Sequence, residues 1–256
     1  MGTALVTGAT AGLGLEFAWQ LATARHDLVL VARDTDRLEQ VAAQIRAAAG
    51  VGVEALPADL SVPDDVARVA ARLAVVGDQP GDPRPVGLLV NNAGFATAQH
   101  FVDGDLDVEL RAVDVMVRAV VELSHAAVGQ MQARGRGAIL NVASVAALTA
   151  GGTYAAAKAY VRTFTEGLAV ELAGTGVTAT VLCPGFTRTE FHQRAGVSMS
   201  SVPDAAWLDA PFVVASALAD VRRGIVISTP SGRYKAASAL LRVLPRSAVR
   251  AIGHYR

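Results

Sequence analysis

Short runs of uninterrupted apolar residues constrain the fold of this chain more than any other feature. Leu28-Val29-Leu30-Val31 and Leu88-Leu89-Val90 have no polar face at all. Strands of that kind are covered on both sides, as in a parallel sheet enclosed by helices. Such runs predict strands at Thr3–Thr7, Asp27–Ala32, Gly52–Ala58, Gly87–Asn91, Gly137–Ala143, Thr178–Cys183 and Gly224–Ser228. The stretches between them carry helical periodicity. Leu13, Phe17 and Leu21 form one apolar stripe, Leu38, Val41 and Ile45 a second, and Ser61 with Pro63 opens a third helix. Parallel neighbours need crossovers of about a dozen residues or more, which these helices supply. The expectation is an α/β fold: a doubly wound parallel sheet of about seven strands, helices on both faces, one domain over residues 1–256. Gly77–Pro85, rich in Gly, Pro and Asp, reads as a surface loop.

The first strand runs straight into Thr7-Gly8-Ala9-Thr10-Ala11-Gly12-Leu13-Gly14. The G-x-x-x-G-x-G spacing is neither G-x-G-x-x-G nor a phosphate loop ending in Lys-Ser/Thr. Its physical use is similar: glycines allow a tight turn and let backbone N–H groups approach a pyrophosphate at a helix N-terminus. A plain strand-to-helix turn is the alternative. After the second strand, an acidic residue would accept from a ribose 2′-hydroxyl, whereas a basic one accommodates a 2′-phosphate. The sequence there is Ala32-Arg33-Asp34. Arg33, with a planar fork suited to phosphate and with Arg37 near by, favours NADP(H) over NAD(H). A one-residue shift would bring Asp34 to that place and favour NAD, and a solvated Arg–Asp pair is the third reading.

Tyr154 and Lys158 are four residues apart in Thr153-Tyr154-Ala155-Ala156-Ala157-Lys158, so a helix sets both on one face. A free phenol titrates near pH 10 and shuttles protons poorly at neutrality. A neighbouring ammonium favours the phenolate and brings that value down. Of 23 basic residues only Lys158 and Lys235 are lysines, and a compact ammonium fits beside a phenol where a guanidinium would sit differently. The bland counterpart is a surface tyrosine and a solvated lysine on an alanine-rich helix. Ser144, ending the fifth strand, can hydrogen-bond a substrate carbonyl or cap a turn. No Gly-x-Ser-x-Gly elbow surrounds it, which disfavours a serine hydrolase.

Taken in order, Thr7-Gly8-x-x-x-Gly12-x-Gly14, Asp59-Leu60, Asn91-Asn92-Ala93-Gly94, Ser144, Tyr154-x-x-x-Lys158 and Pro184-Gly185 resemble the short-chain dehydrogenase/reductase family. The match is to its single-domain branch and runs to about Ser228. The resemblance implies a Rossmann-type sheet and an NAD(P)-dependent oxidoreductase, with Ser144, Tyr154 and Lys158 catalytic and Tyr154 the general acid/base. It implies a cofactor turn of Gly8, Thr10, Ala11, Gly12, Leu13 and Gly14. Asp59 would accept from the adenine amino group, with Leu60 packing near it, or would instead satisfy backbone donors of the next turn. Asn91 would tie the central strand to its neighbour, while Ala93 and Gly94 let the chain pass close to the cofactor. Pro184, Gly185, Thr187 and Thr189 would surround the nicotinamide, Thr187 through its backbone and Thr189 through its hydroxyl.

Two departures stand out. Family members commonly carry an asparagine in the lysine's proton relay, on the helix before strand five. This chain has Met116 there, a weak acceptor that donates nothing, so the relay is weakened or rerouted unless Met116 is simply a core residue. The segment from Ser144 to Tyr154 is also short, with Gly151-Gly152 available to close it by a tight turn and leave the pocket more open.

Ala146, Ala147, Leu148, Phe186, Phe191 and Met199 would wall an apolar pocket, and residues 186–207, with His192 and several serines, read as a substrate flap. The function expected is hydride transfer between NADP(H) and a small hydrophobic carbonyl or alcohol. The alternative is a nucleotide-binding regulatory or scaffold protein of the same fold with little turnover. Residues 230–256 form a divergent basic tail, with six basic and no acidic residues between Arg233 and Arg256. Ala237, Leu240, Leu241 and Leu244 share one face. Packing on its own domain or a partner subunit is expected ahead of weak contact with an anionic membrane surface. The family's habit implies a homo-oligomer. Charge is balanced at 23 basic and 23 acidic residues, leaving no field for nucleic acid. One cysteine, Cys183, and scattered histidines argue against a disulfide or a metal site. No signal-peptide pattern or apolar run of transmembrane length is present, so a cytoplasmic protein is expected.

Overall fold

The computed structural model describes residues 2–77, 81–191 and 202–253, with 252 and 253 described by backbone alone. Nine strands are present among them: β1 Thr3–Thr7, β2 Asp27–Ala32, β3 Val53–Pro57, β4 Val86–Asn91, β5 Gly137–Val142, β6 Val177–Leu182, β7 Thr187–Arg188, β8 Leu208–Asp209 and β9 Ile227–Ser228. Seven form one sheet in the order β3-β2-β1-β4-β5-β6-β9, parallel throughout. β7 and β8 make a separate parallel pair. The strand order reverses between β1 and β4, which opens a ligand crevice at the carboxyl ends of sheets of this type.

The helices are α1 Gly12–Thr23, α2 Thr35–Ala49, α3 Pro63–Ala74, α4 Leu106–Val113, α5 Ala119–Ala133, α6 Gly152–Glu171, α7 Ala210–Arg222, α8 Gly232–Val243 and α9 Arg246–Gly253. They cover both faces, and the strands feed two cores by simple alternation. Ala4, Val6, Leu28 and Leu30 pack with Phe17, Leu38, Ile45 and Val214 on one side. Leu5, Val29 and Val31 pack with Val69, Leu73, Leu123 and Met131 on the other. This is why the strand sequences lack a polar face.

Three expectations need correction. α3 begins at Pro63 with Val62 as its extended cap residue, and Ser61 does not open it. Ser61 folds back instead, its N–H and hydroxyl both donating to Asp59 Oδ1 at 2.9 and 2.7 Å. The last strand is only Ile227–Ser228, because the chain is still turning at Gly224, where φ is +67°. In the tail, α8 docks through Tyr234, Ser238 and Leu241, while Ala237 and Leu240 of the expected stripe are exposed. Among the described residues no helix is long and apolar enough to cross a membrane.

α4 passes into α5 through one π-helical turn, Asp114–Arg118, which buries Val115 and Met116. Such wide turns recur at functional sites. A buried polar chain then ties the sheet to the helices around it. Asn91 Nδ2 donates to Asn141 Oδ1 at 2.9 Å and to Ser124 Oγ at 3.2 Å. Asn141 Nδ2 donates to Thr165 Oγ1 at 3.0 Å, and that hydroxyl donates to Val161 O at 2.6 Å. β4, β5, α5 and α6 are thereby held together, with Asn91 in the tying role expected of it. Asn91→Ala strands an acceptor in the core and should lower stability by about 1–3 kcal/mol, read as a lower urea midpoint at unchanged slope. An unmoved midpoint would show the chain of bonds to be dispensable.

Candidate active site

The crevice is built where β1 meets the segment after β4. Thr7 Oγ1 accepts from the N–H groups of Asn92 and Ala93, each at 3.0 Å, and Asn92 Nδ2 donates to Thr7 O at 2.9 Å. Sequence reasoning gave Thr7 and Asn92 no role, although both stand inside its motifs. Gly14 has no space for a side chain, since a Cβ would lie 2.1 Å from Gly8 O and 2.5 Å from Asn92 Nδ2. α1 therefore starts hard against the end of β1, with Ala11 as its extended cap residue, the close approach that a phosphate-binding turn requires. Thr10 is buried and Leu13 half-buried beside it. A Cβ on Gly12 would meet the Thr189 side chain at 3.4 Å, so the loop after β6 lies against the turn.

At the far end, Arg33 leaves β2 with its side chain 72% exposed and Nη1 4.0 Å from Asp59 Oδ2. Asp34 is committed to α2, whose N-terminus it caps by accepting from Arg37 N at 3.0 Å. The Arg37 guanidinium lies 3.4 Å from Glu190. Arg33, Asp59, Ser61, Phe95, Arg111 and Val115 line a cavity of about 190 Å³. Leu60 is buried next to Asp59. Arg111 brings a second guanidinium that no motif announces. Asp59 meets the second of its expected ends, since Oδ1 accepts from Ser61 N–H, and the residue also lines the cavity.

The centre of the site is a buried amine. Lys158 is 4% exposed, and its Nζ donates to Val142 O at 2.8 Å and lies 5.7 Å from the Tyr154 ring centroid. Burial pushes its pKa down from 10.5 to about 8. Gly94 passes directly over it: a Cβ there would be 3.3 Å from Lys158 Nζ and 3.3 Å from Met116 Sδ. Met116 is 1% exposed and packs with Ala112, Ala157, Phe95 and Tyr154, so it is a core residue and a neighbour of the tyrosine–lysine pair at once. Ser144 Oγ accepts from Ala146 N at 3.1 Å, capping a 3₁₀ turn over Val145–Leu148. That bond uses a lone pair and leaves the hydroxyl proton to donate elsewhere. Gly152, at φ +65°, then starts α6 at once, which closes the shortened segment as its two glycines suggested.

The loop beyond β6 is fixed at several points. Pro184 O accepts from Val145 N at 3.0 Å, and Thr187 Oγ1 donates to Gly185 O at 3.0 Å. The Phe191 and Tyr154 rings are 5.7 Å apart, and Phe186 lies 5.8 Å from Trp207. Leu148, with Ser144, Arg162, Cys183, Ser238 and Arg242, lines a small cavity that reaches the tail. His192 and Met199 lie outside the described residues.

A family model described as short chain dehydrogenase matches residues 2–198. The ketoacyl reductase HetN of a Nostoc species is 30% identical over 223 residues, spanning 84% of this chain and 73% of the relative. A short-chain dehydrogenase from Sphingobium yanoikuyae, solved in complex with NADPH, superposes with a TM-score of 0.83 at 34% identity over 96% of each chain. A bulky-bulky ketone specific alcohol dehydrogenase from Comamonas testosteroni does so with 0.79 at 28% identity, again over 96% of each.

The depressed Lys158 pKa sets a stability window. From pH 8 to 10.5 the unfolded chain holds a proton that the folded chain has released, so this group makes stability rise with pH there. Urea midpoints measured across that window should climb for the parent relative to Lys158→Met. Parallel curves would show that Lys158 titrates normally.

Proposed function

The chain belongs to the short-chain dehydrogenase/reductase family, and from that premise we propose that it is an NADP-dependent reductase of hydrophobic carbonyl compounds. Membership makes it an oxidoreductase that uses a nicotinamide cofactor. The observation that carries the finer reading is Lys158, one of only two lysines, placed at a buried position against the tyrosine four residues before it.

The residues present fit a dinucleotide, because Gly14 admits only backbone and a cavity opens beside Arg33 and Asp59. Gly8, Thr10, Ala11, Gly12, Leu13 and Gly14 would hold the pyrophosphate. Asp59 and Leu60 would hold the adenine, and Arg33 the 2′-phosphate. Asn91, Ala93, Gly94, Tyr154 and Lys158 would border the nicotinamide ribose, with Pro184, Gly185, Thr187 and Thr189 around the ring. The preference for NADP rests on Arg33 facing the cavity while Asp34 caps a helix, and the NADPH-bound relative supports it.

When bound, the nicotinamide supplies a hydride to a carbonyl carbon or takes one from an alcohol. Ser144 would donate a hydrogen bond to the carbonyl oxygen and orient it, keeping its own proton. Tyr154 delivers the proton that this oxygen needs, and the Lys158 ammonium stabilises the phenolate left behind. Phe191 beside Tyr154 and the ketone-reducing relative support an apolar substrate. Residues 1–256 act as one domain in this reading, with 186–191 and 202–207 of the expected flap flanking the substrate, its middle part 192–201 lying outside the described residues. The exposed Leu106 and Leu110 of α4 support a homo-oligomer.

NADPH oxidation with a panel of apolar ketones tests the proposal. Tyr154→Phe should cost kcat about 10²–10⁴-fold. Arg33→Ala should raise KM for NADPH about tenfold and leave NADH unaffected, as expected for loss of one charge-assisted bond. Tight NADPH binding without turnover on any ketone would instead mark a nucleotide-binding protein of the same fold. Met116→Asn, which offers the relay a donor and an acceptor, should raise turnover on a good substrate; no change or a fall counts against a weakened relay.

A further inference from the structure

The sequence gives the basic tail no part in the site. We propose that Tyr234, at the start of α8, is a positioning residue for the loop Pro184–Thr189, so that the tail forms one wall of the cofactor site. The inference rests on the nicotinamide reading of that loop given above, though not on the choice between NADP and NAD.

The phenol of Tyr234 bridges two separated pieces of backbone. Phe186 N–H donates to its oxygen at 3.1 Å, and its own O–H donates to Ala206 O at 2.7 Å. The ring itself lies over Gly185, where a Cβ would come within 2.0 Å of Cζ and 2.2 Å of Cε2. Gly185 is not in the left-handed region, so the tail's ring, rather than a backbone angle, is what demands glycine there. Arg233 adds bonds to Ala205 O and, at 3.1 Å, to Trp207 O. Four backbone groups, on residues 186, 205, 206 and 207, thus end on two adjacent tail side chains.

These contacts lead towards the cofactor turn. Leu208 N–H donates to Phe186 O at 2.8 Å, which starts the β7–β8 pairing through Thr187. Thr187 Oγ1 returns to Gly185 O, and Thr189 lies against Gly12. Tyr234 therefore fixes the base of the loop whose far end touches the glycine turn. Losing the phenol oxygen removes the bonds from Phe186 N–H and to Ala206 C=O and frees the loop to sample orientations in which Thr187 and Thr189 no longer face the crevice.

Tyr234→Phe keeps the ring and removes the bridge. Fluorescence titration with NADPH should show Kd raised about tenfold, the equivalent of about one net hydrogen bond. Hydrogen exchange followed by mass spectrometry should show faster exchange at the Phe186 amide and in residues 203–208, with β1 to β6 unchanged. Gly185→Ala should bind NADPH far more weakly than the parent, and Gly185→Ala combined with Tyr234→Ala should recover part of that loss by vacating the space. The proposal is overturned by a Kd within twofold of the parent, by faster exchange throughout the sheet, or by a double variant that binds no better than Gly185→Ala. If the parent binds NADH but not NADPH, the cofactor preference fails and the same comparison is made with NADH. If the parent binds neither, the nicotinamide reading fails and this inference goes with it.

Discussion

A lysine ammonium shut away from solvent costs several kcal/mol unless an acceptor meets it, and the Val142 carbonyl at the end of β5, 2.8 Å from Lys158 Nζ, supplies that acceptor. Much of the surrounding structure follows from keeping this contact. β5 must end at a fixed place relative to α6, which the bond from Asn141 to Thr165 ensures. The chain crossing above is bare backbone at Gly94, where a Cβ would press within 3.3 Å of the ammonium. Because a single carbonyl only partly offsets the loss of water, the ammonium is held at a lowered pKa, close to the range in which it can exchange a proton with its neighbours.

At the opposite end of the crevice the electrostatics are of another kind. Arg33 is largely solvated, and its 4.0 Å approach to Asp59 is too loose and too exposed to contribute much to stability. A side chain so weakly committed can turn to an anionic ligand without giving up a strong native interaction. In the proposed reading, the same exposure means that its attraction for a phosphate would be screened by salt, unlike the interactions around Lys158. On the function proposed above, the two ends of the site would divide the work into long-range attraction and short-range, buried chemistry.

The sheet was legible because its central strands β1, β2, β4 and β5 are covered on both faces, leaving apolar runs that have no other explanation. Tyr154 and Lys158 were legible because helical spacing alone sets them together. Ser61 misled because a serine before Pro63 looks like a helix cap, whereas a carboxylate two residues back takes both of its donors. The tail misled for a related reason. Its Ala and Leu residues suggested the buried face, but the docked face runs through Tyr234, whose polar tip finds partners that lie far away in sequence. Arg111, Thr7 and Asn92 gave no signal, since their roles depend on which strand ends the topology brings side by side. Met116 was placed by family resemblance, and its contact with Tyr154 is a property of packing that no spacing rule contains.

The π-helical turn at Asp114–Arg118 works like a slipped thread on a screw. One residue beyond the regular count turns everything downstream by about 100° around the helix axis. Leu106 and Leu110 can therefore look outward on one side of the slip while Leu123 and Met131 fill the interior on the other. Rewinding this turn into regular helix at unchanged chain length would swing the interior residues of α5 off the sheet, whereas removing the one extra residue would leave them facing as they do. At this chain length the molecule is thus obliged to keep an imperfect turn of helix next to its buried amine.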